Sequence, residues 1–203
     1  MLDKGVALLD VVERHPVTVT ELAREVGMTV PTCHRLATAM ITHGLLRRDA
    51  AGLLHLGHRF LASTLVEIAR PVLADLTAQT GESTQLWVRR GDLRVVVVSV
   101  ESQMELRASL PVGSQLPLTV GGSAAALLVA QNVADIAPQG WVESVSQRTP
   151  GLGSVSAPVM SHGEVVAAVC LPAPVQRLQP SPGRVYGELV VAAARQIEAG
   201  LRG

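Results

Sequence analysis

Aromatic residues make up only 2% of these 203 residues: two Trp, one Tyr and one Phe. Cores built on aromatic rings are therefore excluded, and the interior must be packed from Leu, Val, Ile and Ala, which carry no polar handle. Cysteine is as scarce. Cys33 and Cys170 stand without a CxxC partner, so no disulfide framework and no metal site is expected, and a reducing cytoplasm is the simplest home. Apolar runs such as Val95 to Val98 and Val165 to Leu171 fall far short of the ~18 residues of a membrane span. Asp3 and Lys4 interrupt the apolar residues at the start, so no signal peptide is expected there. Net charge is also absent, with 17 basic against 17 acidic residues, so no chain-wide polyanion surface is expected.

What is present is 48% hydrophobic residues, ample for two cores, and a length above the usual single-domain mode. Charge is unevenly spread. From Met28 to Phe60 the charges are Arg35, Arg47, Arg48 and Arg59 against Asp49, a local excess of +4 − 1 = +3. A small basic face at one end suits a compact DNA-binding module.

The stretch from Thr18 to Gly44 organises that end. Thr18 with Glu21 reads as a capping box that starts a short helix closed by Gly27. Thr29 then caps a second helix, Pro31 sits in its first turn, and Gly44 stops it. Before them, Leu2 to Arg14 places Val6, Leu8, Leu9 and Val12 near helical spacing. Leu22, Ala23 and Val26 in one helix, and Cys33, Leu36, Ala37 and Met40 in the next, form the inward faces. The outward face of the last helix carries Thr32, His34, Arg35 and Thr38, types able to reach base edges or phosphates. This is a helix-turn-helix. Leu45 to Arg48 and Leu53 to Leu56, around a turn at residues 49–52, predict a hairpin wing whose Arg47 and Arg48 are placed for phosphate or the adjacent minor groove.

Further along, a helical pattern from Arg59 to Gln79 runs through Leu61, Leu65, Ile68, Val72 and Leu76, with Pro71 starting or kinking a helix. Gln85 to Arg90 and Leu93 to Val100 flank Gly91-Asp92 and predict a hairpin, with Val95 to Val98 buried on both faces. A strand is expected at Glu105 to Leu110, an irregular loop at Pro111 to Leu118, and a helix at Ala124 to Ala130 opened by Gly121-Gly122-Ser123, whose free amides suit a carboxylate. Strands are expected at Ser154 to Val159 and Val165 to Leu171. A closing helix at Glu188 to Leu201 turns Leu189, Val190, Ala193 and Ile197 inward. An enzyme is not expected: no nucleophile elbow occurs, His162 falls in a surface turn, and GGSAAA lacks a P-loop lysine. No cofactor is implied.

The order of ELAREVG, a helix with HRL, a wing and LGHRFL resembles the winged helix-turn-helix half of the IclR family of transcriptional regulators. LPVGSQLPLTVGGSAAALL, GLGSVSAPV and GEVVAAVCLPAPVQRL extend the resemblance over nearly the whole chain, and their wording is most similar to the subgroup controlling leucine and other amino-acid biosynthesis. The connector, and the segment from Gln131 to Trp141, are shorter than in that family. The resemblance implies an α+β fold: a winged helix-turn-helix (1–58), a helical linker (59–79) and a GAF-like effector domain (80–203). It implies DNA contacts from Thr29, Thr32, His34, Arg35, Thr38, Arg47 and Arg48. By the same resemblance the effector pocket would fall on Ala108, Leu116, Gly122, Ser123, Ser144, Leu152, Ser154, Cys170 and Pro172. Its partners would be a double-stranded DNA operator and an amino acid or small carboxylate, with no membrane, in a homodimer or dimer of dimers. The alternative is a small-molecule sensor or interaction module with weakened or lost DNA binding.

Overall fold

The computed structural model describes residues 2–49, 51–130, 138–161 and 163–202, with the backbone alone at 58, 59 and 61–63. Two units divide the chain, Met1–Thr64 and Leu65–Gly203. The first begins with helices α1 (Leu2–Arg14), α2 (Val19–Glu25) and α3 (Val30–Thr42), followed by strands β1 (Leu46–Arg48) and β2 (Leu54–Leu56). Thr18 and Glu21 make the capping box: the Thr18 amide donates to Glu21 Oε2 at 3.0 Å and the Glu21 amide to Thr18 Oγ1 at 3.3 Å. Gly44, at φ +68°, turns the chain out of α3 while the Leu45 amide reaches back to the Met40 carbonyl at 2.8 Å, satisfying a carbonyl the helix would leave unpaired.

Leu8, Val11, Val12, Leu22, Cys33, Ala37, Met40, Leu46 and Leu54 fill the core of this unit. Val6, expected inward, is 47% exposed, because it stands two residues, about 200° of helix, from the buried Leu8. The hairpin pairs Arg47 with His55 and Arg48 with Leu54, and Val17 adds a bridge to Leu54. Ala50, in the expected turn, lies outside the described residues.

The division between units falls within α4 (His58–Thr80), which contains Pro71 without being ended by it. The second unit holds one antiparallel six-stranded sheet: β3 (Thr84–Arg90), β4 (Leu93–Val100), β5 (Gln115–Pro117), β6 (Val142–Val145), β7 (Leu152–Ser161) and β8 (Glu164–Pro174), in the order β5-β4-β3-β8-β7-β6. Alternation of side chains sends neighbours to opposite faces. Leu86, Val155, Ala157, Val169 and Leu171 meet Leu73 and Leu76 of α4 and Val190 and Ile197 of α6 (Pro182–Gly200). Trp87, Val96, Ala168 and Cys170 meet Ala124, Leu127 and Leu128 of α5 (Ser123–Val129).

Four expectations for this unit are corrected. Residues 105–110 form no strand: the Leu106 carbonyl accepts from Arg177 Nη2 at 3.0 Å instead of from a neighbouring strand. The expected loop at 111–118 contains β5, an edge strand in which Pro117 pairs opposite Leu93, a position where a missing donor is tolerated. The closing helix starts six residues earlier than expected, at Pro182, capped by Ser181. Gly183 and Gly187, poor helix formers, conceal that start, yet their bare faces are where Trp141 packs. Leu189, expected inward, is 38% exposed. His162 and most of the short segment from Gln131 to Trp141 lie outside the described residues.

Candidate DNA and effector sites

The polar side of α3 presents His34, Arg35 and Thr38 to solvent, with Thr32 half-buried. His34 and Arg35 stand four and three residues before Thr38, so the three share one face. Thr29 does not cap through its side chain as expected: its hydroxyl donates to Thr32 Oγ1 at 2.9 Å, which ties down both threonines. On the wing, Arg48 is exposed and Arg47 half-buried. Among the described residues, none of Arg35, Arg47 and Arg48 is held in an ion pair. Their charges are therefore available to phosphate, and release of counterions would supply affinity.

In the second unit the sheet face under α5 is partly polar. Ser123 Oγ lies 2.8 Å from Ser154 Oγ and 2.7 Å from Ser156 Oγ, and Ser144 Oγ lies 3.1 Å from Ser154 Oγ. This joins three of the expected pocket residues in one hydroxyl chain. Cys170 stands opposite Ser156, and Pro172 opposite Ser154, in the β7–β8 ladder. Burial pushes the Cys170 thiol above its ordinary range, against the opposing pull of hydrogen bonds from Ser156 and Ser123 and of the Arg94 charge, so at neutral pH it is a thiol. Leu116 packs at the margin of the apolar layer, and Gly122 backs on to the Arg94 guanidinium. Ala108 is buried in the segment joining β4 to β5, and Leu152 is half-buried opposite Pro174; neither takes part in the hydroxyl chain. With seven residues, α5 is too short for a strong dipole at its start, and the amides of Ala125 and Ala126 are taken by the Gly122 carbonyl.

Arg94 and Ser156 escaped the sequence reading. Arg94 is 3% exposed, lies 5.2 Å from the centre of the Trp87 ring, and donates from Nη2 to the carbonyls of Val120 and Gly121 at 3.0 and 3.1 Å. Burial lowers its pKa from the ordinary arginine value. The available signals were a lone cation opening the run LRVVVV, and Ser156 two residues after Ser154, hence on the same face. Among the described residues no cluster of His, Cys, Asp and Glu could hold a metal ion, and no helix is long and apolar enough to cross a membrane.

Comparison with known proteins agrees with this two-part arrangement. Residues 1–50 match the family described as the IclR helix-turn-helix domain, and residues 60–138 match the bacterial transcriptional regulator IclR C-terminal family. The chain belongs to the IclR family of transcriptional regulators. Members of this family are DNA-binding regulators with a C-terminal ligand-binding domain, not enzymes. The chain is 25% identical to the HTH-type transcriptional regulator BhcR of Paracoccus denitrificans, over 98% of this chain and 86% of that protein. A solved IclR-family regulator from Rhodococcus sp. superposes with a TM-score of 0.63 at 27% identity, covering 98% of this chain and 92% of the other. An IclR homologue from Microbacterium hydrocarbonoxydans, solved in complex with 4-hydroxybenzoate, shares the fold with a TM-score of 0.59 at 21% identity, covering 99% and 98%.

Proposed function

We propose that this IclR-family regulator binds a double-stranded operator through Thr29, Thr32, His34, Arg35, Thr38, Arg47 and Arg48, and that a small metabolite in the second unit adjusts that binding. The observation that carries the reading is the exposed His34–Arg35–Thr38 face of α3, adjoined in sequence by a wing whose two arginines are in no ion pair among the described residues. The effector is an amino acid or small carboxylate held near Leu116, Gly122, Ser123, Ser144, Ser154, Cys170 and Pro172, with Ala108 and Leu152 completing the set. We further assign the chain to control of amino-acid biosynthesis, as a cytoplasmic homodimer or dimer of dimers. The domain bounds are 1–58, 59–79 and 80–203, the last GAF-like. Two symmetric modules would sum their affinities on paired half-sites. The effector acts by preferring one arrangement of the dimer, since only a difference in affinity shifts such an equilibrium.

An electrophoretic mobility shift with DNA upstream of the protein's own gene and of its neighbours tests the reading. Retardation that changes on adding amino or keto acids is the expected result. Failure to retard any of these fragments would favour a sensor or interaction module that has lost DNA binding. For the pocket, Ser123→Leu should remove the ligand response and leave DNA retardation intact; an undiminished response would refute the assignment.

A further inference from the structure

In the major groove the base edges offer hydrogen-bonding groups at every pair but only one apolar group, the 5-methyl of thymine. An apolar side chain on the leading turn of a recognition helix, the turn whose residues meet base edges, therefore has a single complementary partner there. Val30 stands on that turn. It is the first residue of α3, directly after Thr29, and it is 43% exposed, whereas Val26, Met28 and Leu36 on either side of it in the chain pack against the core of the unit. Pro31, next in the chain, is exposed as well. Val30 precedes His34 by four residues and Pro31 precedes Arg35 by four, so the pair extends the exposed His34–Arg35–Thr38 strip by one turn toward the helix start.

That end of α3 is poorly equipped for phosphate. Pro31 has no N–H to give, the Thr32 and Cys33 amides both go to the Thr29 carbonyl at 3.0 Å, and the Thr29 hydroxyl goes to Thr32 Oγ1. Cations follow at Arg35 and, on the wing, at Arg47 and Arg48, none of them in an ion pair among the described residues. The first unit thus combines cations suited to the DNA backbone with an apolar leading turn suited to a base edge.

We propose that Val30, with Pro31 beside it in the chain, is a specificity-determining residue that reads the 5-methyl group of a thymine in the operator. This rests on the DNA-binding reading above and adds to it a residue and a base. Val30 lies five residues, about 7.5 Å of helix, from Arg35. At about 3.4 Å per base step, the thymine falls within about two base pairs of the Arg35 contact.

Uracil differs from thymine by that methyl alone, which makes the test specific. Sites retained by the full chain are selected from a random duplex library, each thymine of the selected site is replaced in turn by uracil, and affinity is read by mobility shift. Replacement at one position should weaken binding about fourfold, the fold-change of one buried methyl group. Val30→Ala should bind the thymine site more weakly than the parent does, and the same replacement should then change nothing, so that the two losses are not additive. Val30→Ile, which keeps the apolar surface, should retain the preference for thymine. Uracil tolerated without loss at every thymine overturns the proposal. So does a thymine preference undiminished in folded Val30→Ala, or a selected site made of G·C pairs alone. In each of those outcomes DNA is still bound, so this inference falls and the regulator reading stands; a library from which nothing is retained removes the DNA-binding reading and this inference with it.

Discussion

The Asp49 carboxylate lies 2.8 Å from Nε2 of His55 and also accepts the Leu53 amide at 2.9 Å, so one side chain closes the wing on both sides of its turn. The bond from His55, followed by that from the Leu53 amide, holds the Asp49 carboxyl below its ordinary value of 3.8. A carboxyl whose pKa is lower folded than unfolded contributes stability that is complete above the unfolded value and is lost as pH falls through the folded one. Asp49→Asn should therefore melt below the parent at neutral pH, and the two melting curves should converge as pH drops below 3.8. Curves that stay parallel to the acid end would show that the pair adds nothing.

Arg35 offers the most direct test of the reading face. If it contacts a base, Arg35→Ala should cost about 1–3 kcal/mol of operator affinity and relax preference at one base position. If it contacts only phosphate, affinity should fall uniformly across sequences, with a shallower salt dependence. Unchanged binding by a folded variant would remove Arg35 from the interface.

Glu82 is 1% exposed and is paired with Arg177, whose Nη2 donates to Oε2 at 2.8 Å and to the Leu106 carbonyl at 3.0 Å. Removing one member of such a pair strands the other charge. Since Arg177 is 29% exposed, Arg177→Ala should cost about 2–4 kcal/mol in urea unfolding, somewhat less than for a fully buried pair. Replacing both residues with methionine should cost less than the single change, and an equal or larger loss would show that the charges stabilise the unit outright.

Two glycines of the first unit should respond to alanine with opposite signs. A Cβ on Gly57 would collide with the backbone of Gly44 and Leu45, so Gly57→Ala should destabilise by about 1–3 kcal/mol through overpacking. Gly5 lies inside α1 with nothing near its absent Cβ, so Gly5→Ala should stabilise by about 0.5–1 kcal/mol. Melting temperatures of the two variants on either side of the parent are the expected result; a lowered melting temperature for Gly5→Ala would contradict it.

Local signals made the first unit readable, because Thr18, Glu21 and Gly44 each act within six residues of their partners. β3, β4, β7 and β8 were legible from their own apolar residues, whereas the short edge strands β5 and β6 were not. What escaped depends on partners distant in sequence. The helix-breaking character of Gly183 and Gly187 is offset by partners some forty residues earlier, Trp141 against both bare faces and the Glu143 carboxylate on the Gly183 amide. Residues 105–110 carry strand-like alternation, but Arg177 takes the Leu106 carbonyl from the other end of the unit. Arg94 is misleading alone, since a cation at the start of a strand reads as solvent-facing until Trp87 and the Val120–Gly121 carbonyls close over it.

The six-stranded sheet separates two kinds of surroundings within single strands. In β7, Val155 and Ala157 belong to the layer with α4 and α6, while Ser154 and Ser156 join the hydroxyl chain on the other face; in β8, Val169 and Leu171 alternate with Ala168 and Cys170 in the same way. If the hydroxyl face holds the effector as proposed, a substitution at every second position would alter recognition while the packed layer behind it stays intact. On that reading ligand preference would drift by single steps, each one residue away from a side chain of the packed core.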